Sequence, residues 1–321
     1  MKRAFFYMFK ILLGVGLLYF LWSRGQIDFK LIGKAMQQPG WVVSIFLQFS
    51  TILLVVARWR FLLRAVGIIS PYRKALRYFL YGTLTTLVTP GALGGDLLRA
   101  GLLVKSTPHA RYTAALSVAI DRYIGIMALF TAASFAFLFR PAHLLGNPVL
   151  TSLGLLVIGG AIGLPILLVI GSSPHLSGLL KRFLPWIFQR GFGHSILESL
   201  HQYRQKPLVL LTCYLMSLFI QIVAISLLLP LVSAMGASIP LPLLAFLAPL
   251  GILILNVPIT PLGLGIGQVA FVTLFRIAGL EGSLGAELCT LLQLTNFVTF
   301  FVGGLAALWW PSKAKHAAQS G

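Results

Sequence analysis

"TLVTPGALGGDLLRAG", residues 86–101, sets a proline, four glycines, an aspartate and an arginine inside a strongly apolar chain. Asp96 and Arg99 need partners or water wherever they lie, because an unpaired charge in an apolar medium is costly. The surroundings decide which. The 321-residue chain is 58% hydrophobic and only 10% charged, whereas soluble domains carry about 25% charged residues. Mean hydropathy is +0.93. So few charges cannot cover a water-facing surface, so the composition predicts one all-α polytopic membrane domain over 1–321.

The net charge of +19 does not point to nucleic acid, because the basic residues lie between apolar runs and form no separate basic domain. The N-terminal "MKRAFFYMFKILLGVGLLYFLW" resembles a signal peptide, but Lys10 interrupts its apolar core and no small-x-small cleavage site follows. A retained signal-anchor helix is expected. Cys213 and Cys289 lie within apolar runs and predict no disulfide framework.

A span needs about 20 mainly apolar residues. Six stretches qualify: 4–22, 41–63, 112–139, 148–171, 207–235 and 283–310. Two more, 76–104 and 241–278, are broken near their middles by Pro and Gly and read as re-entrant helical hairpins. Residues 172–206 mix basic and bulky apolar side chains, as an amphipathic surface helix does, and 23–40 does so on a smaller scale. The tail 311–321 is expected to be disordered. With the N-terminus inside, the segments assigned to the cytoplasmic face hold most of the Lys and Arg residues. That bias predicts both termini in the cytoplasm. Arg58, Arg60 and Arg64 read as topological anchors, Trp41 and Trp59 as interfacial belt residues, and Gly159 and Gly163 as helix-packing glycines.

Aligning the breaks sets "TPGALGGDLLRAGLLVK" from Thr89 against "TPLGLGIGQVAFVTLFR" from Thr260. Thr89 and Pro90 match Thr260 and Pro261, Gly94 matches Gly265, and Arg122 meets Gln293 in the following span. The order span, span, broken hairpin, span occurs twice, over 1–139 and 148–310. The first copy starts inside and the second outside, which predicts an inverted-topology repeat. Such repeats with broken helices are a recurrent transporter plan. A broken helix offers free N–H groups and a positive dipole end to an anion, and glycine allows close approach to that backbone.

Asp96 and Arg99 stand three residues apart and share a helix face. Asp121 and Arg122, in "ALSVAIDRYIGIMAL", are adjacent and point about 100° apart. One arrangement pairs Arg122 with Asp96 and Asp121 with Arg99 across the contact between hairpin and span. Charges at membrane depth are functional by default; a static ion-pair clamp is the alternative.

"TPGALGGDLLR", then "IDRYIG", then "PITPLGLGIGQ" resemble the lysylphosphatidylglycerol synthase transmembrane-region family of flippase-like membrane domains, over nearly the whole chain. The resemblance implies movement of a lipid across a bilayer. By motif position it carries over Gly94, Gly95, Asp96, Arg99, Asp121, Arg122, Pro261, Gly263, Gly265 and Gln268 as substrate-site residues; the repeat adds Thr89, Pro90 and Thr260. The family commonly has Glu where this chain has Asp121 and Gln268, so no second carboxylate is available there for a proton or cation. No stretch reads as a soluble aminoacyl-transferase domain, and lysyl-lipid synthesis is not expected.

The rival is a membrane enzyme acting on a lipid head group. The sequence holds no DxD, no HExxH and no His cluster with ligand spacing. Catalytic residues, cofactors and metals are therefore not expected. A third reading, a scaffold docking a lipid-modifying enzyme through 172–206, would not need the repeat or the buried charges. A membrane lipid is the expected partner, with a second copy or a lipid-modifying enzyme kept open. The expected location is the bacterial cytoplasmic membrane.

Overall fold

The computed structural model describes residues 2–89, 93–139, 146–171, 199–257 and 259–309. Pro90, most of the 172–206 segment and the 311–321 tail lie outside the described residues. The described chain is helical: α1 Lys2–Ser23, α2 Phe29–Met36, α3 Pro39–Ala65, α4 Tyr72–Thr86, α5 Leu93–Ser106, α6 Arg111–Leu138 and α7 Pro148–Gly171. After a helical turn at 199–204 come α8 Pro207–Ala234, α9 Leu241–Leu255, α10 Ile266–Ile277 and α11 Gly282–Trp309. Five helices, α3, α6, α7, α8 and α11, are long and apolar enough to cross a membrane. The apolar part of α1 described with its side chains, Leu12–Ser23, is shorter. Asp28 caps the small amphipathic α2 by accepting from Lys30 N at 2.7 Å, and α2 buries Ile32 and Ala35.

The two broken stretches each fold as two short helices. At 1.5 Å per residue, α4 and α9 are about 22 Å long and α10 about 18 Å, against a hydrocarbon core of about 30 Å. In the first pair, Gly94 faces Thr89, Gly95 faces Thr86 and Gly82, and Gly82 faces Arg99. These contacts walk away from the turn along both arms, which is hairpin geometry. In the second pair, Gly263 and Gly267 face Leu255, and Gly251 faces Phe271.

Several contacts between residues 1–139 and residues 148–309 come in pairs, while that of α6 on α7 has no comparable counterpart among the described residues. The main contact is α3 on α8. There Gly40 lies against the Pro230 carbonyl, where an added Cβ would come within 2.7 Å, and Ser44 donates to Leu227 O at 2.9 Å. The first hairpin packs through α4 on α11, and the second through α9 on α6; α3 also meets α11, and α8 meets α6.

Two expectations are corrected by packing. Gly159 and Gly163 face open space; Gly154 and Gly160 on the same helix instead receive the Phe137 and Phe130 rings of α6. Trp59 is fully buried, with its indole N–H donating to Ser117 Oγ at 3.2 Å, so it is no belt residue. Trp41 is half-buried and donates to Thr295 Oγ1 at 3.1 Å.

Candidate functional site

The ionisable residues at depth converge from α3, α5 and α6. Asp96 lies in the first turn of α5, where the helix dipole favours a carboxylate. Three residues on, Arg99 reaches back to Asp96 Oδ1 at 3.2 Å. Arg99 also donates to Asp121 Oδ2 on α6 through both terminal nitrogens, at 3.2 and 3.3 Å. Its guanidinium stacks 4.6 Å from the Trp59 ring centroid and 5.2 Å from that of Phe79. Arg99 Nε has no hydrogen-bond partner among the described residues.

Sequence reasoning assigned Arg58 to the membrane edge, and the structure corrects this. Arg58 is buried and donates from Nε to Asp121 Oδ1 at 2.9 Å. Its other nitrogens donate to Ser217 Oγ on α8 at 2.7 Å and to the Asp121 carbonyl at 3.1 Å. Gly125, one turn beyond Asp121, lies against this guanidinium, with its would-be Cβ in ordinary contact 3.4 Å from Arg58 Nη1. Arg58 lies seven residues inside the end of its helix, deeper than Arg64.

On the other face of α6, Arg122 donates from Nε to Asp96 Oδ2 and from Nη1 to Asn256 Oδ1 at 3.1 Å. Asn256 ends α9, and its amide nitrogen is held by Ile252 O at 2.8 Å. Arg122 thus joins the turn of one hairpin to the turn of the other. Its side chain is 39% exposed, while those of Arg99 and Asp121 are 3% exposed. The pairings Arg122–Asp96 and Arg99–Asp121 match the one arrangement drawn from the sequence. Asn256 went unnoticed, because a single Asn before a Pro reads as a turn residue.

The five charges form one alternating series: Arg58, Asp121, Arg99, Asp96, Arg122. Its first member is closed off by protein donors and acceptors, and its last is accessible.

The glycines serve differently from the expectation that they admit a head group. A Cβ on Gly94 would overlap Thr89, and one on Gly95 would overlap Thr86 and the Gly82 carbonyl. The space beside both is filled by α4 and its turn, so they let the arms meet. Thr89 itself donates to Thr85 O at 2.9 Å.

The second turn is held by neutral groups. Thr260 is buried and donates to Leu264 O at 2.8 Å. Gly263 and Gly265 have φ of +71° and +78°, in the left-handed region that glycine enters freely. Gly265 also packs against Gly14 and Leu17 of α1. Pro261 precedes this turn. Gln268 caps α10 by accepting from Gly265 N at 2.8 Å, and donates to Gln293 Oε1 on α11 at 2.6 Å. Gln293 donates in turn to Leu262 O at 3.2 Å. Each hairpin's second arm is therefore tied to the following long helix by a polar bridge. The bridge is ionic in the first half, Asp96 to Arg122, and neutral in the second, Gln268 to Gln293. Among the described residues, no group of three or more His, Cys, Asp or Glu converges as metal ligands would.

Residues 7–304 match the family of the lysylphosphatidylglycerol synthase TM region, and the chain belongs to that family. It is 23% identical over 284 residues to a UPF0104 membrane protein of Methanothermobacter thermautotrophicus, an alignment covering 83% of this chain and 84% of that protein. No solved structure matches the chain.

Proposed function

We propose that the protein is a flippase-like translocator that passes an anionic phospholipid or a polyprenyl-phosphate-type lipid between the leaflets of the bacterial cytoplasmic membrane. In this reading the halves 1–139 and 148–310 are inverted copies. Six helices span, α4–α5 and α9–α10 are re-entrant hairpins entering from opposite faces, and both termini are cytoplasmic. The short hairpin arms, the paired contacts of α4 on α11 with α9 on α6 and of α3 on α11 with α8 on α6, and the ionic and neutral bridges support this reading.

The observation that carries the proposal is Arg122, a half-exposed cation midway along α6 that bridges the two hairpin turns through Asp96 and Asn256. A head group entering between the turns meets this guanidinium. Phosphate oxygens and the Asp96 carboxylate compete for the same N–H donors, each charge-assisted bond being worth about 1.5–3 kcal/mol. While lipid holds Arg122, Asp96 keeps Arg99 as its partner, so no carboxylate is left alone in a dry site. Arg99 and Asp121 act as the fixed base of the site. Thr89, Gly94 and Gly95 shape the first turn, Thr260, Pro261, Gly263, Gly265 and Gln268 shape the second, and Pro90 belongs to the site by sequence alone.

The test is reconstitution in liposomes with a labelled anionic lipid in one leaflet. Redistribution of the label with unchanged lipid mass supports translocation. A lipid of altered mass, formed only with intact protein, overturns it in favour of an enzyme.

A further inference from the structure

We infer that the Arg122–Asn256 end of the charge series binds a head group bearing a single negative charge, a phosphodiester, in preference to a neutral head group or a doubly charged phosphomonoester. This rests on the reading of the cleft between the hairpin turns as a lipid site. Three guanidiniums, Arg58, Arg99 and Arg122, alternate with two carboxylates, Asp121 and Asp96, in one connected series. As charged groups they leave one positive charge over. At membrane depth an unbalanced charge is expensive, and neutrality is the favoured filled state. The surplus can be met only at the accessible end. Arg58 is enclosed by Ser217 and the Asp121 carbonyl, and Arg99 by its carboxylates and two aromatic rings. Arg122 is the one guanidinium of the three with a substantially exposed side chain. A single negative charge there completes the alternation, whereas two would leave a buried excess of the other sign.

The surroundings of Arg122 favour a lipid as the source of that charge over a free anion. Each polar group at this end has an exposed apolar neighbour: Leu97 beside Asp96 is 73% exposed, Val257 beside Asn256 is 44% exposed, and Ile126, one turn from Arg122, is 37% exposed. Acyl chains can lie on this rim while the phosphate meets the guanidinium.

The full-length protein would be equilibrated in nanodiscs with equal parts of phosphatidylcholine, phosphatidylglycerol and phosphatidic acid, and its retained lipids read by native mass spectrometry. Phosphatidylglycerol should be enriched several-fold over phosphatidylcholine, whose phosphodiester can make the same hydrogen bonds but whose trimethylammonium restores the surplus positive charge. Arg122→Gln, which brings the series to zero net charge, should abolish that enrichment, and Arg122→Lys should keep most of it. Asp96→Asn raises the surplus to two and should shift the retained lipid several-fold toward phosphatidic acid. If Asp96→Asn does not fold, the half-exposed Arg122→Gln still decides the outcome. Retention indifferent to charge, or Arg122→Gln retaining phosphatidylglycerol like the parent, overturns the inference. Inorganic phosphate in excess should leave the retained lipid in place; stripping of the lipid by phosphate alone would overturn its assignment to a lipid. Binding is read without transport, so the two readings fail separately. A protein that retains phosphatidylglycerol selectively but never redistributes it refutes only translocation, and one that moves lipids of every charge alike refutes only this inference.

Discussion

Replacing Asp121 by Asn tests whether the inner part of the charge series holds the fold. Asp121 accepts from Arg58 on one oxygen and from Arg99 on the other, and all three side chains are buried. Asn keeps the volume but removes the only carboxylate paired with Arg58 among the described residues and points an N–H donor toward one of two guanidiniums. Breaking a buried ion pair by removing one partner costs about 3–5 kcal/mol, because the remaining charge is left uncompensated. At roughly 2 °C per kcal/mol for a chain of this size, the midpoint should fall by about 6–10 °C. Arg122→Gln is the control. Its side chain is 39% exposed and Asp96 keeps Arg99 as a partner, so the loss should be that of a partly solvated pair, about 1 kcal/mol or roughly 2 °C. Thermal unfolding in detergent, followed by tryptophan fluorescence, reads both, since Trp59 lies directly against the Arg99 guanidinium. If Asp121→Asn melts within about 2 °C of the parent while Arg122→Gln melts far below it, the division into a fixed base and an open end is wrong.

Two neighbouring glycines should respond in opposite senses. Gly160→Ala drives a methyl into the Phe130 ring and should cost about 1–3 kcal/mol, whereas Gly159→Ala meets open space and should be neutral or gain about 0.5–1 kcal/mol; paired melts check this. Gly95→Val should separate the arms of the first hairpin, seen as lost yield of folded protein by size-exclusion chromatography. Tyr203→Phe should leave the midpoint unchanged or raised, because the buried Tyr203 hydroxyl has no partner among the described residues. Cysteine probes at 146–147 and 236–239 should label from outside and probes at 199–205 should not; strong outside labelling of 199–205 would break the proposed topology.

The sequence was most legible where physics leaves few choices. Long apolar runs gave the five long helices, since only hydrogen-bonded helices or closed barrels suit a bilayer. The Pro-Gly breaks located the two hairpins. The 100° offset between Asp121 and Arg122 showed that they face different neighbours, but not that Asp121 is shared with Arg58 of α3. Depth was harder to read. Arg58 and Trp59 lie near a helix end that also carries Arg60 and Arg64, and a linear sequence cannot tell a buried side chain from one at the interface when both lie on the last two turns. Arg60 does behave as an end residue, donating to Ser70 O at 3.0 Å. Glycine was harder still. The same residue can bare a backbone or admit a neighbour, and the choice for Gly94, Gly95, Gly154 and Gly160 depends on which helix face meets Thr89, Gly82 or an aromatic ring. Asn256 was invisible because its partner lies 134 residues away.

The most direct measurement of the central claim is an experimental density map of the protein in nanodiscs containing phosphatidylglycerol, with mass spectrometry of the lipid that copurifies. The account predicts a phosphate within hydrogen-bond reach of the Arg122 guanidinium, between the turns of the two hairpins, with acyl chains along Leu97 and Val257. A cleft closed by side chains, with Arg122 still held by Asp96 and Asn256 and every lipid phosphate at the membrane surface, would contradict it.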